Sequence, residues 1–200
     1  MVLEVLADKM IAYNSLFIHV EKTAGTSIGV TIERHEILSK RILQFISQHS
    51  PASHLKERLR PHIWDNLFKF AFVRHPYDRL VSWYYFSKGR YEQFQNDTID
   101  QFFQKRHNNN TMLRPMKTLL CNENGDVLPD FVGHFETLKE DWNYIVSHIC
   151  RSNIEVPLLK VNQSPNRLFW QECMTPTVQK ILDDYYGEDF QIWSEYKKCG

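Results

Sequence analysis

A run of six residues near the N-terminus has the side chains and spacing of a phosphate-binding loop: Lys22, Thr23, Ala24, Gly25, Thr26 and Ser27. An apolar run precedes it and a segment of helical character follows, which predicts a strand, a tight loop and a helix start. Backbone N–H groups at a helix N-terminus favour an anion, and Gly25 lets the backbone approach a phosphate closely. Thr26 and Ser27 would add hydroxyl donors, and Lys22 would stabilise charge that builds up on a leaving oxygen.

This loop differs from the Walker A motif of P-loop kinases and ATPases. In that motif the lysine directly follows the last glycine, whereas Lys22 precedes Gly25 here. An ordinary turn between a strand and a helix would show the same local pattern. The loop by itself therefore leaves two alternatives open, phosphate binding and a plain turn.

A second candidate site follows the clearest buried strand, which the apolar pattern predicts over residues 68–73. Arg74 comes directly after that strand, and Ser82 lies on the helix predicted next. Ligands of open α/β sheets bind at the carboxyl edge of the strands, where Arg74 could grip a phosphate with two N–H groups and Ser82 could donate its hydroxyl. A structural ion pair is the alternative for Arg74, and we expect Arg79 to form a solvated pair with Asp78.

Two segments, LFIHVEKTAGTS (residues 16–27) and FAFVRHPYDRLVSWY (residues 70–84), together resemble the sulfotransferase family that uses 3′-phosphoadenosine 5′-phosphosulfate (PAPS). The similarity is greatest to carbohydrate O-sulfotransferases of the chondroitin and heparan-sulfate 2-O type. Residues 131–138 (FVGHFETL) resemble the family's IGRFENL segment, with His134 in place of the arginine. Residues 161–164 (VNQS) resemble its late xNxS loop.

The resemblance implies that both candidate sites bind the donor. The six-residue loop would hold the 5′-phosphosulfate, while Arg74 and Ser82 would hold the 3′-phosphate. The implied reaction moves a sulfuryl group from PAPS to an acceptor hydroxyl, and the branch implies a carbohydrate acceptor. We expect no metal ion, because Lys22 and the loop amides would supply the positive field.

Removal of the acceptor proton calls for a base, and a histidine close to the sulfate suits that role. Some relatives carry a catalytic histidine in a pattern like HxxAxxLxxxL, which residues 49–59 (HSPASHLKERL) resemble. His49 is therefore the predicted base and His54 the second choice. A surface-loop histidine is the alternative interpretation of His49, and Glu21 is an acidic candidate for the base. We expect His19 to be packed within its strand.

The elements that would position these residues alternate between strands and helices. Strands are predicted over residues 16–20, 42–47, 68–73 and 131–134. Helices are predicted over residues 26–35, 51–59, 76–86, 98–106, 138–149 and 176–186, the fifth with a capping box at Thr137 and Glu140. This alternation predicts an α/β fold, and with the loop it suggests a P-loop-like three-layer sandwich with a central, mainly parallel sheet.

The composition favours one globular domain without a membrane span. We treat residues 1–200 as a single sulfotransferase domain with a core over roughly residues 16–193, the part that the resemblance covers. Lys plus Arg and Asp plus Glu both number 24, and this charge balance argues against nucleic acid as a partner. The N-terminus is a poor signal peptide, so we expect a cytoplasmic protein, or a luminal Golgi protein if the chain is a fragment. The four cysteines form no CxxC pair, which argues against a zinc site. They could form two disulfides, but in a chain of this size we expect reduced thiols, and the sequence leaves their pairing open.

Two other functions stay open at this point. A P-loop-type nucleotide phosphotransferase is disfavoured by the missing Walker A order and by the lack of an obvious Mg²⁺-binding aspartate after a strand. A non-catalytic nucleotide-binding protein would keep Lys22 and Arg74 but lack a base near the sulfate. We expect residues 88–127 to form acceptor loops, whose aromatic residues would stack on sugar rings or belong to the core. The sequence leaves the oligomeric state open.

Overall fold

A parallel sheet lies at the centre of the computed structural model, which describes residues 13–44, 49–161 and 168–195. Its strands are β1 (Ser15–Ile18), β2 (Ile42–Leu43), β3 (Phe68–Val73) and β4 (Phe131–His134). They are arranged in the order β2-β1-β3-β4, and every neighbouring pair is parallel. Because β1 and β3 are neighbours, the loops that follow them lie side by side at one edge of the sheet.

Helices connect the strands, as parallel pairing requires. In chain order they are α1 (Gly25–Arg34), α2 (Glu36–Arg41), α3 (Ala52–Arg58), α4 (Pro61–Asn66), α5 (Pro76–Arg90), α6 (Ile99–Asn108), α7 (Met116–Leu120), α8 (Leu138–Cys150), α9 (Trp170–Cys173) and α10 (Pro176–Glu195). A short 3-10 helix, Glu92–Phe94, lies between α5 and α6. No helix in the described ranges is both long and apolar enough to cross a bilayer.

Alternation of side chains along the strands produces the three layers, because successive residues of a strand point to opposite faces. Leu16 and Ile18 of β1 pack into one core, against α3 and α7. Phe17 packs into the other core, with Ile28 of α1 and Trp142 of α8. A third apolar cluster joins α5, α6 and α10. The predicted α/β fold with a parallel sheet between helical layers is confirmed.

The strand predictions agree with the structure where it describes them. The apolar runs at residues 68–73 and 131–134 are β3 and β4 with the predicted bounds. β1 ends at Ile18, two residues before the predicted end, because the chain already turns into the loop there. For the predicted strand over residues 42–47, residues 45–47 lie outside the described ranges. Residues 162–164 of the predicted late loop also lie outside them.

Three predictions about helix ends differ from the structure. Helix α5 was expected to end at residue 86 and continues to Arg90. The last helix was expected to end near residue 186; the helical backbone is interrupted there, at Tyr186 (φ −123°), but a further helical segment continues α10 to Glu195. The bend is anchored, since the buried Tyr186 hydroxyl donates to the carbonyl oxygen of Leu113 at 2.6 Å. The capping box at Thr137 does not form. Its hydroxyl donates instead to the buried Asp141 carboxylate at 2.8 Å, and a charged acceptor makes the stronger hydrogen bond.

Helical structure occupies much of the segment that was expected to form acceptor loops. Helices α6 and α7 lie within residues 88–127. Phe94, Phe102 and Phe103 are buried in the third apolar cluster, so these aromatic residues belong to the core. Tyr91 is exposed. Of the aromatic residues considered for sugar stacking, Tyr91 alone is accessible to a ligand.

Candidate functional site

The loop between β1 and α1 has a backbone shape that favours an anion. Lys22 and Ala24 adopt left-handed conformations, with φ of 66° and 70°. Left-handed residues alternating with right-handed ones turn successive N–H groups toward a common concave point. Helix α1 begins at Gly25, and the N–H groups of a first helical turn have no carbonyl partner within their helix. The backbone alone therefore offers several donors to a phosphate or sulfate group.

Two of the loop hydroxyls are used within the protein. The buried Thr23 Oγ1 donates to the carbonyl oxygen of Val20 at 3.0 Å. Ser27 Oγ accepts the N–H of Val161, the first residue of the late loop, at 3.2 Å. Thr26 is exposed. The side chains of Thr23 and Ser27 thus hold the loop in its shape. We expect these two residues to contact a bound phosphate or sulfate group mainly through their backbone N–H groups.

One face of α5 brings the two candidate phosphate sites together. Asp78, Ser82 and Phe86 are spaced four residues apart, and such residues share a helix face. Asp78 Oδ2 accepts the Arg74 Nε–H at 2.6 Å, and Lys22 Nζ lies 3.7 Å from the centre of the Phe86 ring. These contacts are about 12 Å apart along the helix axis, with the half-buried Ser82 between them.

Arg74 lies at the carboxyl end of β3 and is only 4% exposed. Its NH1 group donates to the carbonyl oxygen of Lys22 at 3.1 Å, and its guanidinium carbon lies 3.7 Å from the centre of the Phe135 ring. Burial lowers the pKa of Arg74 to about 10, so it stays cationic at neutral pH. Its contacts with Asp78 and Lys22, within the described ranges, use three of the five N–H donors of a guanidinium. The structural ion pair between Arg74 and Asp78 is present, and the guanidinium has further N–H donors with which it can bind a phosphate.

The prediction of a solvated Arg79 is wrong, because this residue is 0% exposed. Its Nε donates to the carbonyl oxygen of Glu21 at 2.9 Å, and its NH2 donates to that of Arg114 at 2.8 Å. The guanidinium also lies 3.6 Å from each of the Glu21 and Asp189 carboxylates. It does not pair with Asp78, whose carboxylate binds the arginine at the end of β3 instead.

His49 lies beside the loop of residues 22–27, which we call the donor loop after its predicted role. Its Nδ1 is 3.3 Å from the carbonyl oxygen of His19, and the two imidazole rings are 4.3 Å apart. Because a carbonyl oxygen only accepts, the contact favours the tautomer with the proton on Nδ1. Nε2 then carries the lone pair that a base needs. The backbone of His49 is left-handed, with φ of 71°, and its carbonyl oxygen accepts a hydrogen bond from Arg114 NH2.

His19 lies just beyond β1 rather than within it, and it is packed as the sequence suggested. Its ring stacks on Phe17 with 5.6 Å between centroids and also touches Gly25 and His49. Burial, and secondarily the charge of His49, lower the pKa of His19 to about 4. At neutral pH the uncharged ring of His19 therefore lies between the donor loop and the candidate base.

The two reserve candidates for the base are less well placed. His54 is exposed on α3. The Glu21 carboxylate lies 3.6 Å from Arg79 and 3.5 Å from Arg114, so two guanidinium groups already occupy its oxygens. The geometry thus favours His49 over both.

Two residues of the site escaped the sequence interpretation. Phe86 lies under Lys22, and its spacing of four residues from Ser82 could have pointed to it. Arg114 contacts His49 and Glu21 from a separate part of the chain, where no motif surrounds it. The described ranges contain no group of three or more His, Cys, Asp or Glu side chains that could hold a metal ion.

A family model described as the sulfotransferase family matches residues 12–197. The match spans nearly the whole chain and includes the loop after β1, Arg74 and Ser82. A comparison with curated proteins gave no match.

Proposed function

Because this chain belongs to the sulfotransferase family, we propose that it transfers a sulfuryl group from PAPS to a hydroxyl group of a carbohydrate. The observation that supports the donor best is the shared face of α5, where Asp78 holds Arg74 and Phe86 lies against Lys22. A helix face that contacts one cation at Asp78 and another at Phe86, about two helical turns further along, suits a nucleotide that carries anionic groups at both ends.

In this proposal the two ends of the donor have separate binding sites. Arg74 and Ser82 bind the 3′-phosphate, the first through its remaining N–H donors and the second through its hydroxyl. The N–H groups of the loop and of the first turn of α1 bind the 5′-phosphosulfate. The cation–π contact with Phe86 holds the Lys22 ammonium group against α5, on the helix face that also carries Asp78 and Ser82.

The bound donor supplies the sulfuryl group, whose bond to the phosphate oxygen breaks as its bond to the acceptor oxygen forms. Lys22 stabilises the negative charge that develops on the leaving phosphate oxygen. His49 accepts the proton of the acceptor hydroxyl at Nε2. The products are a sulfate ester, 3′-phosphoadenosine 5′-phosphate and the protonated His49, which returns its proton to solvent.

The carbohydrate acceptor rests on the sequence resemblance to carbohydrate O-sulfotransferases. A panel of sugars with free hydroxyl groups, assayed with PAPS, is the direct test of that part. Transfer to simple phenols but to no sugar would contradict the carbohydrate assignment while leaving the sulfotransferase reaction intact.

Calorimetry with 3′-phosphoadenosine 5′-phosphate and AMP tests the donor. Without a 3′-phosphate, Arg74 and Ser82 lose their ligand, and two lost charge-assisted hydrogen bonds cost on the order of 3 kcal/mol, or roughly a hundredfold in affinity. Equal affinity for the two nucleotides would exclude this donor. Turnover that survives EDTA would separate sulfuryl transfer from a Mg²⁺-dependent phosphotransferase.

His49→Ala tests the base, with His54→Ala as the matched histidine control. We expect His49→Ala to lower turnover by roughly a hundredfold, the usual scale for a lost general base, and to leave donor affinity nearly unchanged. His54→Ala should keep normal turnover, because that side chain is exposed on α3. The opposite result would transfer the role to His54.

A further inference from the structure

One side chain connects the donor loop to the candidate base. Arg114 donates a hydrogen bond from NH2 to the carbonyl oxygen of His49, and the same guanidinium lies 3.5 Å from the carboxylate of Glu21. Glu21 directly precedes Lys22 in the donor loop. A guanidinium has several donors in a fixed plane, so it can hold a carbonyl and a carboxylate at once.

The backbone of His49 needs such support. Its φ of 71° lies in the left-handed region, which a residue with a Cβ occupies only when its surroundings hold it there. Two contacts do so. The His19 carbonyl oxygen lies 3.3 Å from the imidazole Nδ1, and Arg114 binds the His49 carbonyl. The first contact sets the tautomer, and the second fixes the backbone from which the ring projects.

Arg114 is itself held in place through its backbone. Its carbonyl oxygen accepts a hydrogen bond of 2.8 Å from the buried Arg79, whose Nε also donates to the Glu21 carbonyl oxygen at 2.9 Å. Just beyond it, the N–H groups of Met116 and Lys117 donate to the buried Asp189 carboxylate at 2.9 and 3.0 Å. The position of the Arg114 side chain is therefore tied to the donor loop and to α10.

We propose that Arg114 is a positioning residue, which holds His49 in register with the Lys22 loop so that Nε2 meets the acceptor hydroxyl. This inference rests on the proposed function of His49 as the base. In this inference Arg114 acts through His49 and does not itself bind the donor or the transferred group. Its loss therefore acts on turnover through His49 and leaves donor binding unchanged.

Arg114→Gln and Arg114→Lys, each made in the wild type and in His49→Ala, test the inference. We expect Arg114→Gln to lower kcat by about tenfold, since small displacements of a catalytic group have effects of this order or larger. Affinity for 3′-phosphoadenosine 5′-phosphate should stay within about twofold. Arg114→Lys, which keeps a charged donor, should recover part of kcat. In the His49→Ala background neither change should lower kcat further.

Lys117→Gln is the matched control. Lys117 lies three residues beyond Arg114, its side chain is 37% exposed against 44% for Arg114, and it pairs with Glu188 instead of contacting the site. This variant should keep wild-type kcat. Thermal unfolding of every variant shows whether it is folded. If Arg114→Gln does not fold, the inference is tested with Arg114→Lys instead.

Three outcomes would overturn the inference, and they differ from a failure of the proposed function. Equal losses of kcat in the wild-type and His49→Ala backgrounds would show that Arg114 does not act through His49. A loss of donor affinity without a loss of kcat would show that Arg114 stabilises donor binding and does not position His49. Unchanged kcat in Arg114→Gln, with a large loss in His49→Ala, would exclude the positioning role alone. Full activity of His49→Ala would instead contradict the base assignment, and the role of Arg114 with it.

Discussion

The imidazole of His19 fills the space that any side chain at Gly25 would need. A Cβ built on Gly25 would lie 1.9 Å from both Cδ2 and Nε2 of His19, far inside the contact distance of two atoms. The ring is not free to swing away, because it stacks on Phe17 and contacts the ring of His49. Glycine at the first position of α1 thus allows the loop, the ring and the helix start to pack together.

We expect Gly25→Ala to destabilise the fold by about 1–3 kcal/mol, the usual cost of overpacking, and to weaken binding of 3′-phosphoadenosine 5′-phosphate because the loop must shift. Urea unfolding and calorimetry measure the two effects. Repeating the change in a His19→Ala background removes the obstructing ring, and there the cost should largely disappear. If the cost is the same in both backgrounds, the contact with His19 is not its cause.

Lys22→Ala and Arg74→Ala should affect different kinetic parameters. Lys22 faces charge that develops as the donor's S–O bond breaks, so its loss should lower kcat by more than it lowers donor affinity. Arg74 holds a phosphate that does not react, so its loss should mainly weaken donor affinity. Steady-state kinetics with nucleotide titrations separate the two. If both variants lose only affinity, the role of Lys22 in stabilising the leaving oxygen is wrong.

The sequence predicts the sheet well because its signal is local. The apolar runs that became β3 and β4 are short, buried on both faces and bounded by polar residues, so composition alone locates them. The turn into α1 is also local, since Gly25 and its neighbours mark it. Helix ends were less predictable. α10 bends at Tyr186, where the hydroxyl of that residue reaches Leu113, a contact outside any sequence window.

The buried charges of the site could not be predicted, because their partners are far apart in the chain. Beside Asp78, Arg79 gives the pattern of a solvated pair, and only the fold brings Glu21 and Asp189 to it. Burial raises the pKa of the Asp189 carboxyl group, while the charge of Arg79 opposes that shift. Arg114 carries no motif at all. Residues that hold others in place often lack a local signal of this kind.

The aromatic ring of Phe86 provides a further test of Lys22. Lys22 Nζ lies 3.7 Å from the centre of this ring, and a cation–π contact contributes about 0.5–2 kcal/mol. Phe86→Leu should therefore loosen the ammonium group and lower kcat by about threefold to tenfold, with donor affinity less affected. Phe86→Tyr should keep wild-type kcat, because it keeps the ring.

Tyr85→Leu is the matched control for Phe86. It removes the neighbouring ring on α5, which contacts Tyr84 with 5.0 Å between centroids. Its kcat should stay close to that of the wild type. A loss of kcat as large as that of Phe86→Leu would point to a general effect of packing on α5 and not to the contact with Lys22.

The low pKa of His19 predicts how stability depends on pH. Burial, with the charge of His49, lowers this pKa from 6.5 to about 4. Below pH 6.5 the unfolded chain therefore binds a proton that the folded protein takes up only near pH 4. The contribution of His19 to the free energy of unfolding is complete above pH 6.5 and is lost as the pH falls through this window, by about 3 kcal/mol in total.

His19→Gln removes the titrating ring and should make the free energy of unfolding fall less steeply between pH 6.5 and pH 4. Other groups that titrate in this range are common to both proteins, so the difference between the two profiles reports His19 together with its interaction with His49. Urea unfolding at pH 7, 6, 5, 4 and 3.5 gives that difference, which should grow as the pH falls from 6.5 and level off below about pH 4. Parallel profiles would mean that His19 is protonated in the folded protein at the same pH as in the unfolded chain. The ring that lies between Gly25 and His49 would then carry a charge at mildly acidic pH.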